Sequence, residues 1–550
     1  MIAKIKNYLQ ANEQVKYLII LIVVFILAIA LTNPIGEFAL NDDWFYYDTV
    51  RQFNFNDFQL DKWVAPALMG QVFYAKIITT IFGFSFSILR LATLFLALLG
   101  IIFLYKLFVS LDLTPKKSFW LSLLFLFNPI FYNLGFSFMT DIPALSLIII
   151  ALYFYRQGLY QEKDYYLSIA NFLTIYASLI RQNYILFLLI FALVFLWDQR
   201  KNLTLDRIIK ITVVPLGLFA IIYLFFNQIG WWPQSSYNTH SFEKINHLLT
   251  NARGELYSAW QYLGLVLLPI SLGWLIRTSK KNKIIGLLAA IITTGLSLIL
   301  YLITKEGWPY SGNIISIYGL GARDPNGVLA GTPNVIIGPN ITIVLTILAS
   351  LGAGLLLIML FLSIQEKLQF KDNKSFCIFI TLNLVAQWLV IMLVISFDRY
   401  YLILEILLLV ILASLIKKIK INLVSIILII ILAIISIGGT YNYLRENQLK
   451  WSIANHLVVS GIQPSSIDAG YEWLGWNWYH QVNPEILPFY DPTRTWYTTK
   501  IFPDNTREYI ISFSSQKDNY ILVEKQKCKK FLWGKGSLYL LKYQPKNTAL

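Results

Sequence analysis

Apolar runs of near-bilayer length, separated by short polar loops, recur along most of this chain. A helix of ~20 apolar residues crosses one hydrocarbon core, and runs that are continuous rather than alternating argue against a membrane β-barrel. The pattern predicts about thirteen spans by that ~20-residue criterion. They fall at 17–33, 87–110, 118–136, 142–157, 165–181, 183–198, 208–227, 257–276, 284–303, 340–363, 375–396, 400–416 and 421–439. Segment 66–83 (PALMGQVFYAKIITTIFG) is interrupted by Gly, Gln and Lys and reads as an interfacial or re-entrant helix. From about Tyr441 the chain turns polar and aromatic, with strand-like runs at 508–514, 519–524 and 537–543. The expected fold is an all-α polytopic membrane protein with a small C-terminal α/β domain. Residues 1–440 form the transmembrane domain, whose first outer loop is 34–86, and 441–550 form an extracytoplasmic domain.

Composition agrees: the 550 residues are 57% hydrophobic and 14% charged, with mean hydropathy +0.59. The net charge of +15 resides mostly in short loops rather than in a nucleic-acid-binding surface. With the N-terminus inside, the inner loops hold about 21 Lys and Arg and the outer loops about 8, the bias of the positive-inside rule. Residues 1–31, with Ala28-Ile29-Ala30, also have the form of a signal peptide, but the multispan context favours a retained first helix. Two cysteines, Cys377 and Cys528, make no disulfide framework, and His240, His247, His456 and His480 have no metal-ligand spacing.

This topology collects charge on the outer side. Asp42 and Asp43 follow the first span, Asp141 (SFMTDIP) and Arg181 (IRQN) occupy tight turns, and Asp398 and Arg399 lie in SFDRYYL. Each has a plain reading: solvated loop charge for Asp42 and Asp43, a helix N-cap for Asp141, snorkelling for Arg181. Together they suit a chemistry. Arginines at headgroup level can hold a lipid-linked phosphate, and a nearby carboxylate can take a proton from an attacking hydroxyl. The Gly- and Pro-rich outer loop 304–339 reads as mobile. Segment 467–480 (IDAGYEWLGWNWYH) reads as an amphipathic packing segment in preference to a saccharide platform.

The acidic pair followed by aromatics (Asp42-Asp43-Trp44-Phe45-Tyr46), Lys62-Trp63-Val64-Ala65-Pro66, Gly83, Arg90-Leu91, Arg181-Gln182 and Asp398-Arg399-Tyr400-Tyr401-Leu402 occur in family order. In these the chain resembles the C-type (GT-C), polyprenyl-phosphate-sugar-dependent glycosyltransferases, particularly the bacterial relatives of protein O-mannosyltransferases and of the lipid A aminoarabinose transferase. It departs in having Ala65-Pro66 for Pro-Pro, and Glu405-Ile406 where a Pro commonly stands. The resemblance implies inverting transfer of a sugar from a polyprenyl-phosphate donor to an acceptor hydroxyl on a glycan, lipid or protein. Asp42 is then the general base and Asp43 orients it or joins it in a divalent cation site (Mg or Mn). Arg181, Arg399 and Lys62 hold the donor phosphate, with Asp141, Tyr46, Asp398 and Tyr400 in support. The implied location is a bacterial inner membrane, with the active site extracytoplasmic. The alternatives are a lipid-linked sugar flippase or carrier, and an O-antigen-type polymerase or ligase with a pyrophosphate-linked donor.

Overall fold

The structure, a computed structural model, describes residues 12–61, 64–199, 204–233, 243–310, 312–325, 327–365, 374–393, 397–415, 421–479, 507–531 and 536–544. It is predominantly helical. Among the described residues, eight helices are long and apolar enough to cross a membrane, and ten spans result if each of two bent helix pairs counts as one. The protein is an integral, multi-pass membrane protein. The expected count of about thirteen differs because three expected spans coincide with short helices, Asp164–Ser178, Ile185–Gln199 and Leu402–Leu415.

The bent pairs have a local cause. Pro115–Leu126 and Pro129–Gly135 meet at 69°, and Gly254–Val266 and Leu268–Arg277 at 64°. A proline inside a helix removes one N–H and clashes with the carbonyl four residues back. The residue before proline also avoids the α region, and Asn128 there accepts the Ile130 N–H at 2.7 Å, capping the second half. Met69–Phe82 is a helix of 14 residues, about 21 Å long and short of the ~30 Å hydrocarbon core. It is not among the candidate spans, in keeping with the expectation for 66–83.

Burial separates the helices by position. Asp141–Gln161 is 78% buried over its apolar window, whereas Lys280–Thr304 is only 17% buried and exposes Ile284, Leu288, Ile291 and Ile299. Such apolar faces are stable against lipid rather than water. Where Glu243–Val266 crosses Pro339–Gln365, small residues permit backbone contact: a Cβ on Gly264 would lie 2.3 Å from the Ala349 carbonyl oxygen.

Helix Leu423–Val459 is continuous for 37 residues and runs past residue 440 without a break. Beyond it lies a four-stranded sheet of β3 (Ile467–Asp468), β4 (Tyr509–Ser512), β5 (Tyr520–Cys528) and β6 (Gly536–Tyr543), ordered β3-β4-β6-β5. The last three strands match the runs expected from sequence. A hairpin of β1 (Ile315–Ser316) and β2 (Gly319–Leu320) precedes them in the 304–339 segment. That segment is tied down rather than free. Ala330 bridges to Ser512, the Phe513 N–H donates to the Ala330 carbonyl at 2.9 Å, and the Tyr471 N–H donates to the Val328 carbonyl at 2.9 Å.

Candidate active site

The acidic pair sits at the start of helix Asp43–Gln52, and its two members face different surroundings. Neighbours on a helix point about 100° apart. Asp43 is fully buried. Its carboxylate accepts the Leu40 N–H at 2.5 Å and the Phe138 N–H at 3.0 Å, joining the first loop to the turn before Asp141. Burial pushes its pKa up to about 7, against the lowering effect of those two N–H donors and of Arg90. Arg90, also fully buried, donates to the carbonyls of Pro34, Gly36 and Phe38 and so fixes the loop that delivers the acids. Asp48, next along the helix, pairs with Arg51 at 2.5 Å.

Asp42 keeps 37% of its side chain accessible. Its Oδ2 lies 3.6 Å from Arg399 Nη2, and its Oδ1 accepts the Tyr471 hydroxyl at 3.2 Å. The Tyr471 contribution was not foreseen from sequence: helix Tyr471–Trp478 covers the acidic helix. The Trp44 ring meets Tyr471 and Tyr479 edge-on, and a Cβ on Gly475 would fall 2.4 Å from Trp44, so only glycine fits there. Lys450 pairs with Glu472 at 2.8 Å, and Glu472 accepts the Asn41 N–H at 3.2 Å. The segment packs as the sequence led us to expect, and it also reaches the acid.

The cations come from two turns. Arg181 forms a close ion pair with Asp141, and its guanidinium lies 5.1 Å from the Tyr400 ring centre. Arg399 lies 5.6 Å from the same ring centre and 5.3 Å from that of Phe397. Burial works against the Arg399 charge, but Asp141, Tyr400 and Asp42 outweigh it and raise its pKa. Among the described residues, Arg399 Nε and Nη1 are buried without an acceptor and Asp141 Oδ2 without a donor. Tyr46 is buried within the same field, its pKa raised by burial and by Asp42.

Asp398 points the other way. Fully buried, it accepts the N–H groups of Ile314 and Ile315, the latter at 2.7 Å, and so anchors the β1–β2 hairpin beside the site. Burial raises its pKa to about 6. Gln182, beside Arg181, holds the start of the 66–83 segment by accepting the Ala67 N–H at 2.9 Å and donating to the Ala65 carbonyl at 3.0 Å. Lys62 lies outside the described residues. Asp42, Tyr46, Asp141, Arg181, Arg399 and Tyr400 thus come together, while Asp43 and Asp398 act as backbone anchors at the edge.

A divalent cation held by Asp42 and Asp43 does not fit this arrangement: both Asp43 oxygens serve backbone N–H groups, and Asp42 faces a guanidinium. Among the described residues no group of three His, Cys, Asp or Glu side chains converges.

Residues 67–231 match the family model of dolichyl-phosphate-mannose-protein mannosyltransferases, a stretch that includes Arg90, Asp141 and Arg181. No curated protein matches the chain. Among solved structures, ArnT from Cupriavidus metallidurans in the apo state is similar at 12% identity and a TM-score of 0.33, over 87% of this chain and 82% of that one. ArnT from the same organism bound to undecaprenyl phosphate is similar at 13% identity and a TM-score of 0.31, over 86% and 81%. Through residues 67–231 the chain is similar to the dolichyl-phosphate-mannose-protein mannosyltransferases.

Proposed function

We propose that this protein transfers a sugar from a polyprenyl-phosphate donor to an acceptor hydroxyl, with inversion, at the extracytoplasmic face of a bacterial inner membrane. The observation that carries the reading is the pairing of an accessible carboxylate, Asp42, with a buried arginine, Arg399, two of whose nitrogens have no acceptor among the described residues. Asp42 takes the proton of the acceptor hydroxyl as its oxygen forms the new bond to the anomeric carbon. The bond from that carbon to the phosphate oxygen breaks, and its electron pair leaves with the polyprenyl phosphate. Arg399 meets the oxyanion directly, and Arg181 adds positive charge tempered by Asp141. No proton is needed on the leaving phosphate, so a carboxylate base suffices. The Asp398-anchored hairpin closes one side of the site, and residues 441–550 act as a covering domain that supplies Tyr471. No step runs through a metal ion.

The positive bias of the loops on the opposite side supports the proposed orientation. The reading is tested by supplying membranes with the same labelled sugar on polyprenyl phosphate and on polyprenyl pyrophosphate. Transfer from the phosphate donor is the expected result. Transfer from the pyrophosphate donor alone returns the polymerase or ligase reading, and translocation of the intact lipid without transfer returns the carrier.

A further inference from the structure

A second cluster of cations lies where Arg323 of the 304–339 segment meets the C-terminal sheet, and the proposed transfer uses none of it. Arg323 is only 2% exposed. Its Nη1 faces the Tyr318 carbonyl at 3.4 Å and Glu446 Oε2 at 3.6 Å, and its guanidinium lies 5.6 Å from the Tyr443 ring centre. The other edge, Nε and Nη2, is buried with no acceptor among the described residues. These two N–H groups form the side-on fork by which arginine holds an oxyanion through two parallel bonds. A buried unpaired guanidinium edge is costly unless a ligand completes it.

Arg323 borders a cavity of about 200 Å³ between the 304–339 segment, helix Leu423–Val459 and the C-terminal sheet, lined also by Glu446, Lys525, Lys530, Ser537 and Tyr539. Lys530 Nζ lies 3.6 Å from the Glu446 oxygen that also faces Arg323, and all three side chains are under a tenth exposed. Three cations against the single carboxylate leave two positive charges in excess. A volume of this size suits one small polar group rather than a drug-sized ligand. We propose that Arg323, Lys525 and Lys530 form a second oxyanion site that binds a phosphate group and shares no residue with the Asp42–Arg399 cluster. Its donors come from the segment and from β5 and its flank, so an occupied site pins the segment to the sheet.

The test uses the full chain carrying Arg399→Gln, which removes the guanidinium that meets the donor phosphate in the first cluster. Its melting temperature is followed in detergent with inorganic phosphate against chloride at matched ionic strength, and in nanodiscs with phosphatidic acid against phosphatidylcholine alone. A saturable rise is expected, because a ligand of the folded state stabilises by mass action. Arg323→Gln is expected to abolish the rise. Lys525→Gln, at an exposed position, should move the half-saturating concentration upward several-fold. A rise with inorganic phosphate assigns a water-borne phosphate, and a rise with phosphatidic acid alone assigns a lipid headgroup. No rise in either arm, or a rise that Arg323→Gln and Lys525→Gln leave unchanged, overturns the proposal.

Discussion

Tyr471 donates its hydroxyl to Asp42 at 3.2 Å, across 429 positions of sequence. The contact makes a polar segment near the C-terminus part of the wall around the candidate base. It orients Asp42 without consuming it, because the other carboxylate oxygen faces Arg399. Tyr471→Phe removes one hydrogen bond to a charged group while keeping the ring against Trp44. A net loss of ~1 kcal/mol, roughly fivefold in transfer rate, is expected, with the melting temperature little changed. A steady-state transfer assay on purified protein checks this.

Asp43 gives a pH signature. Its folded pKa near 7 stands well above the ordinary aspartate range, so the folded protein holds the proton more tightly than the unfolded chain does. The stability this contributes is full below about pH 4 and is lost as pH rises through about 7. The melting temperature of wild type relative to Asp43→Asn is therefore expected to fall between about pH 4 and about pH 7. A constant difference across that range would remove Asp43 as the titrating group.

The Arg181–Asp141 pair is largely withdrawn from water, at 19% and 3% side-chain exposure. Removing one partner leaves the other uncompensated, at a cost of ~3 kcal/mol. Asp141→Asn is expected to lower the melting temperature more than the double change Arg181→Gln with Asp141→Asn. Equal or additive losses would show that the two charges are not coupled.

Asp398 is predicted to act through the segment it anchors. Asp398→Ala frees the N–H groups of Ile314 and Ile315 and should speed limited proteolysis within 304–339, weakening donor binding as a consequence. Unchanged cleavage there would contradict the anchoring role.

Much of this architecture is legible along the chain because hydropathy is a local property. The expected spans fall on helices, and strands β4 to β6 fall on the strand-like runs at 508–514, 519–524 and 537–543. Proline explains the two bends, yet the expected 118–136 and 257–276 treat each bent pair as one straight rod. The division of labour between Asp42 and Asp43 was not legible: which of two adjacent acids meets backbone N–H groups depends on Phe138, far along the chain. The Tyr471 contact was hidden for the same reason, since aromatic residues in YEWLGWNWY announce packing but not its partner. The loop 304–339 was misread as mobile because its Gly and Pro content is local, whereas its ties to Asp398 and Ser512 are not.

The most direct measurement separates donor binding from transfer in Asp42→Asn, using a labelled polyprenyl-phosphate sugar that the wild type consumes. Loss of a positioned base costs roughly 100-fold or more in rate, while the donor phosphate still meets Arg399. Transfer is expected to fall by at least that factor, with donor affinity within about threefold of wild type. Transfer at the wild-type rate by Asp42→Asn, in protein that binds donor normally, would contradict the role of Asp42 as base.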